Sequence, residues 1–171
     1  MIASSHRQAP DLPTMHPDDT FLSRTLDLAR QGSSQGDGGP FGALIVHQGK
    51  IIAESWNRVI ATVDPTAHAE IGAIRSACQS LDRYHLTGCT LYASSEPCPM
   101  CLSAAYWARI DRIVFANRRD AAAAIGFCDA DLYDELQRDP GERRIVMEHR
   151  PQAGAREIMT AWAANPDHSS Y

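Results

Sequence analysis

Apolar residues recur along the chain at two periods, and the switches between them mark the elements. In "DDTFLSRTLDLARQG", Phe21, Leu22, Thr25, Leu26, Leu28 and Ala29 return at helical spacing behind acidic residues that suit a helix N-terminus, and Gly32 is expected to stop the helix. "GDGGPFGALIVHQGKIIAESWN" holds two apolar runs joined by "HQGK", a hairpin with glycine in its turn. After the loop "RVIATVDPT", the stretch "AHAEIGAIRSACQSL" spaces Ile71, Ile74, Ala77, Cys78 and Leu81 as one helical face. "CTLYAS" reads as a strand, "EPCPMCLSAAYWARI" as a loop turning into a helix, and "RIVFAN" as a strand. Short helical pieces over "RDAAAAIGF" and "DADLYDELQ" precede a fifth strand, "RRIVMEHR", and a last helix, "AREIMTAWAAN". Strands alternating with helices predict an α/β fold of three layers, α-β-α, with a mixed five-stranded sheet and helices on both faces.

Length and composition narrow the setting. A chain of 171 residues supports one full core, so residues 19–171 are expected to form a single domain behind a polar, proline-bearing lead-in over 1–18 that is expected to be disordered. No apolar run has the length of a membrane span, the N-terminus lacks the apolar segment of a secretory signal, and five cysteines leave one without a partner. A cytoplasmic protein with no membrane partner is expected. The formal charge is −5 and Lys50 is the only lysine. That balance argues against a nucleic-acid partner, which selects basic surface.

The chemistry concentrates in "TAHAEI" and "EPCPMC". Thiolates and imidazole are strong zinc ligands, and three protein ligands with the fourth position left to water define a catalytic zinc site; His68, Cys98 and Cys101 make that count. Pro97 and Pro99 flank Cys98, so the chain is extended there and enters a helix whose N-terminus favours the thiolate. Glu70, two residues past His68, would point away from it on a regular helix, so the site is expected to lie over the helix start. There the carboxylate can take a proton from a zinc-activated water without being a ligand. A lone Cys-x-x-Cys could instead be redox-active or half of a structural zinc knuckle, but no second pair exists and a His-x-Glu does. Cys78 and Cys89 suit core positions.

His-x-Glu followed by Pro-Cys-x-x-Cys is the signature of the zinc nucleobase deaminases. "GGPFGALIV", "DPTAHAEIGAIRSAC", "LYASSEPCPMCLSAAYWAR" and "DAAAAIGF" together resemble the guanine deaminases of the cytidine-deaminase fold, from about Thr20 to Tyr171. The resemblance implies hydrolysis of guanine to xanthine and ammonia with one Zn2+ per chain, in a homodimer that takes a small-molecule purine. It implies that Glu70 and Asp129 carry protons, and that Phe41, Asn57, Ala69, Trp107, Phe127 and Tyr171 contact the base. The C-terminal tail is expected to fold over the site. Each pocket residue also has an ordinary reading: Phe41 and Trp107 as core aromatics, Asn57 as a turn residue, Asp129 as a helix N-cap and the tail as a free end. Cys128 departs from the family's Gly-Phe-Asp-Asp, where an aspartate is expected. Guanosine, another aminopurine or a triazine are alternative substrates. So is tRNA adenosine, whose deaminases have motifs much like "DPTAHAEI" and "EPCPMC".

Overall fold

The computed structural model describes residues 16–127 and 129–169. Residues 1–15 of the lead-in, Cys128 and Tyr171 therefore lie outside the described residues, whereas residues 16–18, expected to be disordered, form the cap and first residues of the first helix. Helix α1 (Pro17–Ser34) starts at a capping box: the His16 ring accepts from the Asp18 N–H, and Asp19 accepts from the His16 N–H. Strands β1 (Gly42–His47) and β2 (Lys50–Trp56) form the expected hairpin. Its turn has positive φ at both Gln48 and Gly49, the left-handed pair that matches strand twist. The loop after β2 contains one helical turn, α2 (Val59–Thr62), and then α3 (Ala69–Ser80), β3 (Cys89–Ser95), α4 (Pro99–Trp107) and β4 (Arg112–Asn117) follow. Helices α5 (Arg119–Ala124), α6 (Asp129–Gln137) and α7 (Ala155–Ala164) complete the chain, with a short 3-10 turn at Pro140–Glu142.

The sheet runs β2-β1-β3-β4, with β1 antiparallel to both β2 and β3 and with β3 parallel to β4 across the α4 crossover. Strand β1 is buried on both faces, and its alternate side chains feed two cores. Ala43 and Ile45 join Ala69, Ala73 and Ala77 of α3 and Ala105 of α4 on one side. Leu44 and Val46 join Tyr92 and the α1 residues Phe21 and Leu22 on the other. Helices thus cover both faces, as the alternation of elements predicts.

Two expectations are corrected. The sheet has four strands among the described residues, because 143–150 pairs with nothing and forms no strand. Its backbone and side chains are engaged by α6 instead: the Arg144 N–H donates to Glu135 at 2.8 Å, and Arg143 donates to the Arg138 and Leu136 carbonyls. A three-residue apolar run has no period that separates a strand from a segment laid against helices. Gly32 does not stop α1 but lies buried inside it. A Cβ there would meet the Trp56 ring at 2.2 Å, so the glycine lets the indole close on the helix.

Helix α1 is fastened to the sheet by charge as well as by packing. The Asp18 carboxylate accepts from the Tyr92 hydroxyl at 2.5 Å and takes both ends of the Arg112 guanidinium. Hydrogen bonds from Arg112 first and Tyr92 second pull its pKa from 3.8 down to about 2. A carboxyl depressed on folding contributes stability that is present above its unfolded value near 4 and is lost as pH falls through about 2. Asp18→Asn is therefore expected to lower Tm at neutral pH, by an amount that shrinks between about pH 4 and pH 2. Thermal melts of both proteins across that range check it; parallel curves would remove the linkage.

Candidate active site

Two helix starts meet at the carboxyl end of β3. His68 is the N-cap of α3 and Cys98 the N-cap of α4, both in extended backbone, with Pro99 supplying the first residue of α4 and Cys101 its third. The cap position turns the His68 ring and the Glu70 side chain toward one space even though they are two residues apart. This is the geometry expected over a helix start. The His68 Nδ1 lies 3.6 Å from the Cys98 Sγ and 3.5 Å from the Cys101 Sγ, and all three donor atoms are within 4.8 Å of one another. Tetrahedral zinc with ordinary Zn–S and Zn–N bonds would hold sulfur and nitrogen about 3.6 Å apart. The three residues fit one zinc ion, with Nδ1 as the imidazole donor.

Electrostatics agree with that donor set. The Cys101 thiol, followed by the His68 ring, draws the Cys98 pKa down to about 4, and the same Cys98 contact raises Cys101. One thiolate is thus already favoured, and the partial positive ends of α3 and α4 face it. Contact with Cys98 raises the His68 ring above its ordinary value, and burial opposes it. Glu70 is only 7% exposed, and burial pushes its carboxyl upward, as it does that of Asp129.

One pocket opens over these groups. It is lined by Phe41, Asn57, His68, Glu70, Ser95, Glu96, Cys98, Phe127 and Asp129. Phe41 and Phe127 meet edge to face, with centroids 4.9 Å apart and planes at 88°. The Asn57 Oδ1 accepts from the backbone N–H groups of Gly39 and Val59, at 3.2 and 3.3 Å. That bonding fixes the amide orientation and leaves Nδ2 as the donor it can offer. A Cβ at Gly38 would lie 2.1 Å from that Oδ1, so the loop needs glycine to approach Asn57 so closely.

Most of the residues expected from the sequence therefore come together. Ala69 is wholly buried as the first residue of α3, and what it can offer the site is an N–H that the helix itself leaves unpartnered. Trp107 is not among the residues lining this pocket: it is 74% exposed, beside Ser103, Tyr106 and Arg109 in a separate hollow. Six positions beyond Cys101 is about 240° round the helix and ~9 Å along it, which carries the indole away from the zinc ligands. Ser95 and Glu96 are pocket residues that the sequence reading missed. Their signal was position, since they leave the carboxyl end of a strand just before the Cys98 turn.

The matching family model is the cytidine and deoxycytidylate deaminase zinc-binding region, over residues 15–117. The chain belongs to this deaminase family. Guanine deaminase of Bacillus subtilis (strain 168) is 51% identical over 127 residues, which are 74% of this chain and 81% of that one. A solved structure of a Bacillus subtilis guanine deaminase superposes with a TM-score of 0.87 at 44% identity, covering 90% of this chain and 98% of that one. A tRNA-specific adenosine deaminase of Aquifex aeolicus (strain VF5) is 34% identical over 82% of this chain and 89% of its own. A further solved structure, of a mutant protein in complex with 8-azaguanine, has a TM-score of 0.63 at 32% identity, covering 75% of this chain and 78% of that one. Among the described residues no helix is long and apolar enough to cross a membrane.

Proposed function

We propose that this deaminase converts guanine and water to xanthine and ammonia, and that the pocket above the His68, Cys98 and Cys101 donors is where it does so. His68, Cys98 and Cys101 would hold the zinc, which when bound would activate a water near neutral pH. Glu70, buried beside the donors and not one of them, takes the proton that the attacking water gives up and passes it to the ring nitrogen next to the amine-bearing carbon. The second proton of that water reaches the departing amine through Asp129, so that the oxygen stays on the ring carbon as a carbonyl and the amine leaves as ammonia. Phe41 and Phe127 hold the planar base by stacking and edge contact, and the Ala69 N–H adds a donor at the helix start.

The observation that carries the choice of base is Asn57. Its oxygen is spent on the backbone, so it faces the pocket as a donor, and a purine with a ring nitrogen and a carbonyl on one edge presents acceptors to it. The 51% identity to a guanine deaminase supports the same choice. Adenosine in tRNA is the second reading, favoured by the likeness to the Aquifex enzyme. A net charge of −5 and a single lysine oppose it, because phosphate contacts draw on basic surface.

The reading also takes the protein as a cytoplasmic homodimer with its tail over the site. Ile158, Met159 and Trp162 of α7, all exposed, are the apolar surface that supports an interface. Ammonia release from the zinc-loaded protein tests the substrate, with guanine, guanosine, adenine, cytosine, an ammeline-type triazine and a tRNA bearing an anticodon adenosine in parallel. Guanine is expected to have the largest kcat/KM, by roughly tenfold or more over guanosine. Release from the tRNA alone would replace this reading by the second.

A further inference from the structure

The pocket carboxylate of Glu96 is not free to act on a substrate. The Arg119 Nε and Nη2 donate to its Oε1 at 3.1 and 2.5 Å, and the Arg119 backbone N–H donates to its Oε2 at 3.1 Å. The same guanidinium lies 4.4 Å from the centroid of the Tyr133 ring, and the Tyr133 hydroxyl donates to the Pro97 carbonyl at 3.1 Å. Glu96 and Pro97 lead directly into Cys98, so the contacts close a ring from the zinc-ligand loop through Arg119 to α6 and back. Tyr133 stands four residues after Asp129, one turn along the same face of α6.

Hydrophobic packing does little to fix that helix. None of the residues of α6 is buried, and α5 buries only Ala122. A carboxylate at the first residue of a helix so lightly packed needs a polar tether to stand at one place over the site. Arginine suits the task because its planar fork grips a carboxylate at two points while its face stacks on an aromatic ring, which lysine cannot do together.

We propose that Arg119 is a positioning residue for the deamination: it fastens α6 to the Cys98 loop and so sets where Asp129 stands. The inference rests on the reading of Asp129 as a proton carrier. Two variants, Arg119→Gln and Asp129→Asn, are compared singly and together in zinc-loaded protein with guanine as substrate, along with amide hydrogen exchange of residues 129–133. Asp129→Asn is expected to lower kcat with KM little changed, since the amide keeps the side chain's shape and its place at the first residue of α6 but cannot carry a proton. Arg119→Gln is expected to lower kcat by roughly ten- to a hundredfold, to keep one zinc per chain, and to speed exchange in the first turn of α6, with Arg119→Lys recovering only part of the loss. In the Asp129→Asn background, Arg119→Gln should cost less than about a further twofold, because its effect passes through a group no longer present.

An equal loss in both backgrounds, or unchanged exchange in α6, would overturn the role of Arg119. Should Arg119→Gln fail to fold, the lysine variant decides: wild-type kcat and exchange in Arg119→Lys overturn the role equally. A wild-type protein inactive on guanine would sink the substrate reading instead, and the exchange result would still stand on its own. Asp129→Asn with wild-type kcat would remove the proton carrier, and with it the route through which Arg119 acts.

Discussion

Replacing Cys101 by serine is expected to leave a folded protein that retains no zinc after dialysis and releases no ammonia from guanine above background. The thiol is wholly buried, at the third position of α4, and serine fills nearly the same volume, so the core loses little. What is lost is a donor. A serine hydroxyl stays protonated near neutral pH, whereas a cysteine thiol releases its proton to zinc, and His68 with Cys98 alone leaves two protein ligands where three define the site. Losing the ion removes the whole chemical step, so the fall should reach at least about 10⁶-fold, the low end of what enzymes contribute. Elemental analysis and circular dichroism on the same sample separate metal loss from misfolding. Full zinc occupancy in the serine variant would show that the donor set is wrong.

The parts of the site that were legible in the sequence are those that the backbone near each residue dictates. Prolines on either side of Cys98 fix an extended residue followed by a helix start, and Cys98 is the N-cap of α4 with Pro99 at its first helical position. In a helical segment two side chains separated by one residue can share a space only at the helix end, and His68 caps α3. The hairpin followed from a two-residue turn ending in glycine, and the helices on both faces of the sheet from the alternation of strands with helices along the chain.

What was illegible depends on partners distant in sequence. Arg119 and Glu96 are 23 residues apart, and neither pattern nor period says that an arginine in an alanine-rich turn will reach back to the zinc-ligand loop. Gly32 has the composition of a stop signal, and only the presence of Trp56 across the helix shows that its small size is used for packing. Trp107 was placed by analogy, and helix geometry from Cys101 alone could have turned it outward. The segment 143–150 could not be told from a strand without knowing that Glu135 of α6 would take the Arg144 N–H and that Arg143 would reach the Leu136 carbonyl.

Glu70→Gln is expected to keep one zinc per chain and to reduce kcat by about 10²- to 10⁴-fold, the range that general acid–base steps supply. The carboxylate is not among the three donor atoms that cluster around the zinc position, so its replacement leaves the metal held. Its burial makes glutamine a close test: the amide has the same shape and can hydrogen-bond where the acid did, but it cannot take up a proton and release it elsewhere. Burial also lifts the carboxyl above its ordinary range, which brings it closer to the condition in which it can both accept a proton from water and give it to a ring nitrogen. Because the substitution removes transfer and not contact, the Kd of a purine that cannot be deaminated should move by less than about threefold, while kcat falls. That split distinguishes a proton carrier from a residue that shapes the pocket, which would weaken binding and turnover together. If the zinc-loaded glutamine variant turned guanine over at the wild-type rate, the proton would have to travel by another group, and Asp129 would be the carboxylate left in the pocket to carry it.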